Sequence, residues 1–354
     1  MADSGIRPER SSIRPISASG VWKVFGRRVA DAMQMARDNV DQSTILAESG
    51  CVVAVKDASF EVNRGEVFVV MGLSGSGKST LIRCLSRLID ATAGTVLIDG
   101  RDVGEMSDDE LRDLRRHTIS MVFQNYGLFP HRRVIDNVAF GLEVRGEEKE
   151  ERYQTATKMI ELVGLDGWAD KYPEQLSGGM KQRVGLARAL AVDPEILLFD
   201  EPFSALDPLI RRDMQDELLG LQERLHCTMV FITHDFSEAL KIGDRIAIMR
   251  SGAIVQVGTP EEIVAHPADD YVRDFTLDVP RHKVLSVGAV MAPAESVDWA
   301  GVHPEGEPVA VSASLEGVLP RLLTEGEPVV VVDDKGGRCG VLEPAVVSRY
   351  LWPG

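Results

Sequence analysis

Apolar positions along the chain follow two rhythms. Five stretches are short, continuous and rich in β-branched or aromatic residues: 67–71, 119–123, 196–200, 228–233 and 245–250. Runs of that size predict strands, of the buried type at 67–71 and 196–200. Between them the apolar residues recur at helical spacing. Val29, Met33, Ala36 and Val40 fall on one face of a helical segment over 27–49, and Ser43 is a candidate cap for a second short helix stopping at Gly50. A strand near 20–25 precedes this segment, and strand, turn and strand follow from Val52. Helices are predicted over 79–88, 108–116 and most of 134–174, with a further strand over 95–98. Ser107 and Glu110 have the spacing of a capping box. Arg115 and Arg116 in the last turn of that helix suit its dipole. Strands alternating with helices predict an α/β fold with a mainly parallel sheet.

Near Pro280 the rhythm weakens, and residues 281–308 are rich in Ala, Val, Pro and Glu. Order returns with a strand at 309–311, a helix at 315–323, a strand pair at 328–333 and 338–342, and a terminal helix. The reading is therefore a loose tail over 1–17, a main domain over 18–280 and a small α+β piece over 281–354. That piece is short for an independent core. Its strand pair is expected to leave an edge and an apolar face uncovered.

The chain has 354 residues, with 39 Lys and Arg against 55 Asp and Glu, a formal net charge of −16. Nucleic-acid binding needs a basic footprint, so no nucleic-acid partner is expected. Cys51, Cys84, Cys227 and Cys339 lie far apart and read as free thiols in a reducing compartment. No apolar run approaches the ~18 residues of a membrane span. Arg7, Arg10 and Arg14 have no apolar segment behind them, as a secretory signal would. A cytoplasmic protein is expected, held at a membrane only through a partner.

Candidate chemistry begins at Gly72-Leu73-Ser74-Gly75-Ser76-Gly77-Lys78-Ser79, which matches G-x-x-x-x-G-K-[ST] between a predicted strand and helix. Glycines let successive backbone N–H groups turn inward as an anion nest, and the helix N-terminus adds its positive end. Lys78 supplies a point charge for phosphates, Ser79 a hydroxyl for Mg²⁺, and Thr80 support from the next position. The strand 196–200 ends on Asp200, followed at once by Glu201. A carboxylate at the C-terminal end of a buried strand stands where α/β sheets place ligands. Asp200 is thus the Mg²⁺ ligand, and Glu201 the base or orienter of an attacking water.

The string Leu176-Ser177-Gly178-Gly179-Met180-Lys181-Gln182-Arg183 is the L-S-G-G-x-x-Q-R signature of ATP-binding-cassette proteins. With it the chain resembles, over about 18–275, the nucleotide-binding subunit of an ABC transporter. Gln124 matches the Q-loop, Ser204-Ala205-Leu206-Asp207 the D-loop, and His234 the switch histidine, while Phe25 resembles the aromatic that stacks on adenine. The resemblance implies a P-loop NTPase cassette with a parallel core, an antiparallel β subdomain, a helical subdomain over about 125–190, and an insertion at 26–53. It implies ATP and Mg²⁺ as cofactors. It also implies a head-to-tail dimer with a second copy, in which Ser177, Gly178, Gly179 and Asp207 meet the nucleotide held by the other chain. Glu201, His234 and Gln124 would be catalytic, and Ser79, Gln124 and Asp200 would serve the metal.

Met71–Thr80, Val122–His131, Asp200–Arg211 and Gly243–Met249 are similar to importers of quaternary amines. That implies ATP-driven import of choline or glycine betaine through an integral membrane permease. A periplasmic or lipid-anchored amine-binding protein would deliver the solute, and this chain would lie peripherally on the cytoplasmic face of the membrane. The alternatives are an importer ATPase for an amino acid or polyamine and a non-transport ABC ATPase. The end of the chain resembles one cystathionine-β-synthase (CBS) module. Glu343 and Val346 break that module's nucleotide loop, which implies a dimerisation role over nucleotide sensing.

Overall fold

The computed structural model describes residues 13–124, 126–204, 206–297, 299 and 307–351. Most of the expected tail, residues 1–12, lies outside them, as do Asn125, Ala205, 298 and 300–306. The chain divides into two compact units between Val255 and Gln256.

The first unit is built on two sheets. Its core sheet has the strand order Ala253–Gly258, Arg245–Arg250, Val67–Met71, Thr228–Thr233, Ile196–Asp200 and Ile119–Val122, and the five strands from Arg245–Arg250 onward pair in parallel. The three strands at its centre are buried at every position. This is what covered parallel sheets require, and it explains the unbroken apolar runs. Register does the positioning. Met71 lies opposite Thr233, and Asp200 opposite Ile232. The carboxyl ends of Val67–Met71 and Ile196–Asp200 therefore flank that of Thr228–Thr233.

The second sheet is antiparallel, in the order Val52–Val62, Ile16–Phe25, Ala93–Ile98 and Arg101–Asp102. Its first strand begins at Ile16, fully buried and paired to both Val62 and Ile98. The expected loose tail thus gives up its last two residues to the sheet. Phe60 of this sheet stacks on Phe68 of the core at 5.0 Å between centroids.

The insertion forms two helices, Val29–Arg37 and Gln42–Ser49, with Asp41 capping the second through Thr44 N–H. Ala32, Met33, Ala36 and Ile45 pack against Trp22, Val24 and Val53. Fully buried side chains of the larger types contribute about 1.5–3 kcal/mol each, enough to hold so short a pair of helices in place. Val40 packs against the same cluster but lies beyond the end of the first helix.

The helical subdomain comprises Val134–Val138, Phe140–Arg145, Lys149–Leu162 and Gly178–Ala191. Asn137 organises its entry. Its buried amide donates to the carbonyls of Phe129, Arg132 and Arg133 and accepts from Phe129 N–H. The Ser107–Glu110 capping box forms as expected on the helix Asp108–His117.

The second unit starts about 25 residues before the compositional shift. The reason is packing. The helices Pro260–Ala265 and Asp270–Thr276 belong to it, and Glu261 accepts from Ser286 N–H. Its sheet runs Ala292–Pro293, Arg338–Leu342, Val329–Val332, Val309–Ala310. The expected open edge is therefore covered, because the central pair is flanked by a two-residue strand on each side. Nor is the pair apolar and bare: Val329, Val330, Val331, Val341 and Leu342 are all buried.

Candidate functional site

The turn after Val67–Met71 feeds the helix Lys78–Leu85. Gly77 at its start has φ +101°, and a Cβ there would stand 2.0 Å from the Ala54 carbonyl oxygen. Only glycine fits that approach. Gly72 and Gly75 also have positive φ, Ser74 is exposed at the crest, and Ser79 and Thr80 are half-buried in the first helical turn. Lys78 is 4% exposed, and its ammonium is drawn inward. It donates to the carbonyls of Gly72 (2.8 Å) and Leu73 (3.0 Å) and lies 3.7 Å from Glu201 Oε1. Burial lowers its pKa, against the pull of the Glu201 and Asp200 carboxylates. Ser76, a variable position in the motif, is also buried, and its hydroxyl has no partner among the described residues.

Asp200 ends its strand fully enclosed. Its Oδ2 accepts from Arg83 Nη2 at 3.0 Å, while Oδ1 is buried with no hydrogen-bond partner among the described residues. A buried carboxylate oxygen left unpaired is costly, and its place beside a phosphate-binding turn suits a hard cation with oxygen ligands. Among the described residues no three His, Cys, Asp or Glu converge to hold a metal. A Mg²⁺ here would thus draw on Asp200, hydroxyl and amide oxygens, and the nucleotide itself. Arg83 was not legible as a site residue. It is 117 positions from Asp200, and no local signal joins them.

Glu201 sits at φ +47°, in the left-handed region. This turns its carboxylate back over the sheet edge, where Oε2 lies 3.1 Å from His234 Nδ1. Ser204 Oγ donates to the Glu201 carbonyl at 3.0 Å, and Gln124 Nε2 lies 3.5 Å from Ser204 Oγ. Lys78, Asp200, Glu201 and His234, drawn from three neighbouring strand ends, thus gather at one edge, with Gln124 reaching in through Ser204. That collection can grip phosphate, hold a cation and orient a water.

Other expected residues stand outside this cluster. Ser177 caps the helix Gly178–Ala191 by accepting from Met180 N–H, and Ser177, Gly178 and Gly179 make no hydrogen bond to the phosphate turn among the described residues. Asp207 caps the helix Pro208–Leu225 through Ile210 N–H. Phe25 is exposed at the end of its strand, with the Lys23 ammonium 4.9 Å from its ring centroid. No helix of the described residues is long and apolar enough to cross a membrane.

The ABC transporter family profile matches residues 55–204. The chain is 48% identical to the trimethylamine N-oxide transport system ATP-binding protein of Pelagibacter ubique, over 95% of this chain and 97% of that one. It is 53% identical to the glycine betaine/carnitine transport ATP-binding protein of Listeria monocytogenes, over 95% and 82%. Among solved structures it is similar to the dimeric ATP-binding cassette MJ0796 in a post-hydrolysis state bound to ADP and Pi. That match has a TM-score of 0.59 and 31% identity, covering 69% of this chain and 98% of the other. An ordered phosphate turn, an Asp–Glu strand end, an intact signature and relatives aligned over nearly the whole length lead to one conclusion: the chain belongs to the ABC transporter family, as an ATP-hydrolysing, ATP-binding subunit.

Proposed function

We propose that this subunit powers import of a small methylated amine, of the glycine betaine or choline type, through a membrane permease on whose cytoplasmic side it sits. The observation that carries its chemistry is the meeting of Lys78, Glu201 and His234 at one sheet edge beside the unpaired Asp200 Oδ1. The solute class is supported by relatives whose names specify glycine betaine, carnitine and trimethylamine N-oxide transport.

Nucleotide phosphates would enter the nest of 72–79, drawing Lys78 from the Gly72 and Leu73 carbonyls. Phe25 would offer its exposed face to adenine. Ser79, Asp200 and Gln124 would hold Mg²⁺, which when bound neutralises phosphate charge. Glu201 would accept a proton from the attacking water, and His234 would hold the Glu201 carboxylate in register. A second copy would bring Ser177, Gly178, Gly179 and Asp207 to the same nucleotide, where the helix start offers N–H groups to the terminal phosphate. Loss of that phosphate would release the two halves and move the permease through Gln124 and the helical subdomain. A separate amine-binding protein would deliver solute on the far side. The C-terminal unit, which resembles one CBS module, would take part in association without sensing nucleotides.

Uptake of labelled glycine betaine, choline and trimethylamine N-oxide in cells with and without the gene tests the solute class. Uptake of at least one should fall on deletion and return with the native chain but not with Glu201→Gln. If none of the three depends on the gene, the solute assignment fails while the ATPase stands.

A further inference from the structure

Two helices lie behind the site, Pro208–Leu225 after the D-loop and Phe236–Ile242 after His234. Three polar rungs join them. In the outer rung Lys241 meets Asp216 at 2.8 Å and donates to the Arg212 carbonyl. In the middle rung the buried Gln215 amide donates to Glu238 Oε1 at 3.0 Å. In the inner rung Arg211 Nη1 donates to Asp235 Oδ2 at 3.1 Å.

The middle rung also touches Thr233 through Glu238, and the inner rung reaches past the helices to the D-loop. The Arg211 Nη2 donates to the carbonyl of Leu206, within the D-loop, at 3.2 Å. Asp235 directly follows His234. It caps the helix behind it by accepting from Glu238 N–H, and its own N–H donates to Thr233 Oγ1. One guanidinium therefore joins the far end of the D-loop to the base of His234. The near end of that loop is fixed separately, by Ser204 Oγ on the Glu201 carbonyl. Glu201 is thus addressed from two sides, its backbone carbonyl by the D-loop and its carboxylate by His234, and Arg211 bonds to both of those elements.

Stability does not account for this arrangement. Arg211 and Asp235 are about a third exposed, and pairs of that kind contribute only ~0–1 kcal/mol. What a guanidinium offers is geometry: a rigid fork whose donors can serve a carbonyl and a carboxylate at once, which an ammonium on a flexible stem cannot hold as firmly. We propose that Arg211 is a positioning residue that transmits displacement of the D-loop to His234, so that contact with a second copy sets the alignment of His234 against Glu201. The inference rests on the reading above that two copies share their nucleotide sites.

The test is ATP hydrolysis against ATP concentration for the full chain assembled with its permease, comparing native protein with Arg211→Gln, Arg211→Lys and Lys241→Ala. The native assembly should be cooperative. In Arg211→Gln the maximal rate should fall about tenfold and the Hill coefficient should drop to about 1, with half-saturating ATP moving less than about twofold. Arg211→Lys should recover part of both. Lys241→Ala cuts a rung between the same helices without touching either loop and should change neither. Unchanged cooperativity in Arg211→Gln overturns the proposal. Equal losses in Lys241→Ala also overturn it, by reducing Arg211 to helix packing. A native assembly that hydrolyses ATP without cooperativity removes the shared-site reading and the proposal with it.

Discussion

Two glycine-rich turns open helices in this chain, and they are finished to different degrees. In the turn 72–77, three glycines hold positive φ, and a Cβ at Gly77 would strike backbone at 2.0 Å. Its lysine is buried and already bonded to two carbonyls. In the signature turn neither Gly178 nor Gly179 needs positive φ, and the first contact a Cβ at Gly178 would meet is the Tyr126 hydroxyl at 3.3 Å. Ser177 spends its hydroxyl on its own helix cap. The first turn is a preorganised nest completed within one chain. The second is a well-capped helix end whose donors face outward. One is shaped by its fold as an anion nest, and under the proposed function the other would acquire a ligand only by meeting a copy that carries one.

The largest effect should fall on Glu201, which the first turn reaches directly and the second would reach only across an interface. Glu201→Gln keeps the cradle and should lower turnover ~10²–10⁴-fold, as loss of a general base does, with nucleotide affinity near native by fluorescent-ATP titration. Near-normal turnover would remove Glu201 from the chemistry.

Next, Gly77→Ala should weaken ATP binding by the isolated chain by at least ~100-fold, ~2.7 kcal/mol. The backbone must move to relieve the contact with Ala54. Affinity within a few-fold of native would mean that the nest is looser than its geometry.

Ser177→Arg should leave ATP binding by the isolated chain unchanged, because the signature turn is incomplete there, yet lower turnover at least ~10-fold in the assembly. Mixed with Lys78→Ala, it should yield heterodimers with one intact and one doubly damaged site. Two singly damaged sites would show each chain using its own signature.

The smallest effect should come from Gly75→Ala. No atom lies within 4 Å of the added Cβ, and only φ +80° opposes it. A cost of ~1–2 kcal/mol is expected, read as a modestly lower melting temperature with binding retained.

The parts legible in the sequence are those written locally. The nest could be read because a buried strand run, three glycines and a lysine sit within a dozen positions. The capping box at Ser107 was legible for the same reason. The strand Ala253–Gly258 was missed because none of its first five positions is fully buried, so no continuous apolar run announces it. Ala292–Pro293 is two residues long and contains a proline, and nothing local marks it as a sheet edge. Long-range pairing was the hardest to see. Arg83 with Asp200 and Arg211 with Leu206 and Asp235 depend on register between strands and on a helix returning over a loop. The same limit moved the unit boundary, since the helices Pro260–Ala265 and Asp270–Thr276 look like their predecessors in composition but pack with their successors.

The left-handed backbone of Glu201 has a consequence for how this protein would age under selection. A non-glycine residue there carries ~1–2 kcal/mol that a glycine would not, a sizeable share of a margin of ~5–15 kcal/mol. Stability screens run on this chain, blind to turnover, should therefore accept Glu201→Gly readily: it should melt no lower than native despite giving up the carboxylate's contacts with His234 and Lys78. Under the proposed function it is the demand for hydrolysis that would keep the carboxylate in place. A lineage that lost its solute would be expected to shed this residue early, while Gly77, whose added Cβ would meet the Ala54 carbonyl oxygen at 2.0 Å, would outlast it as a relic.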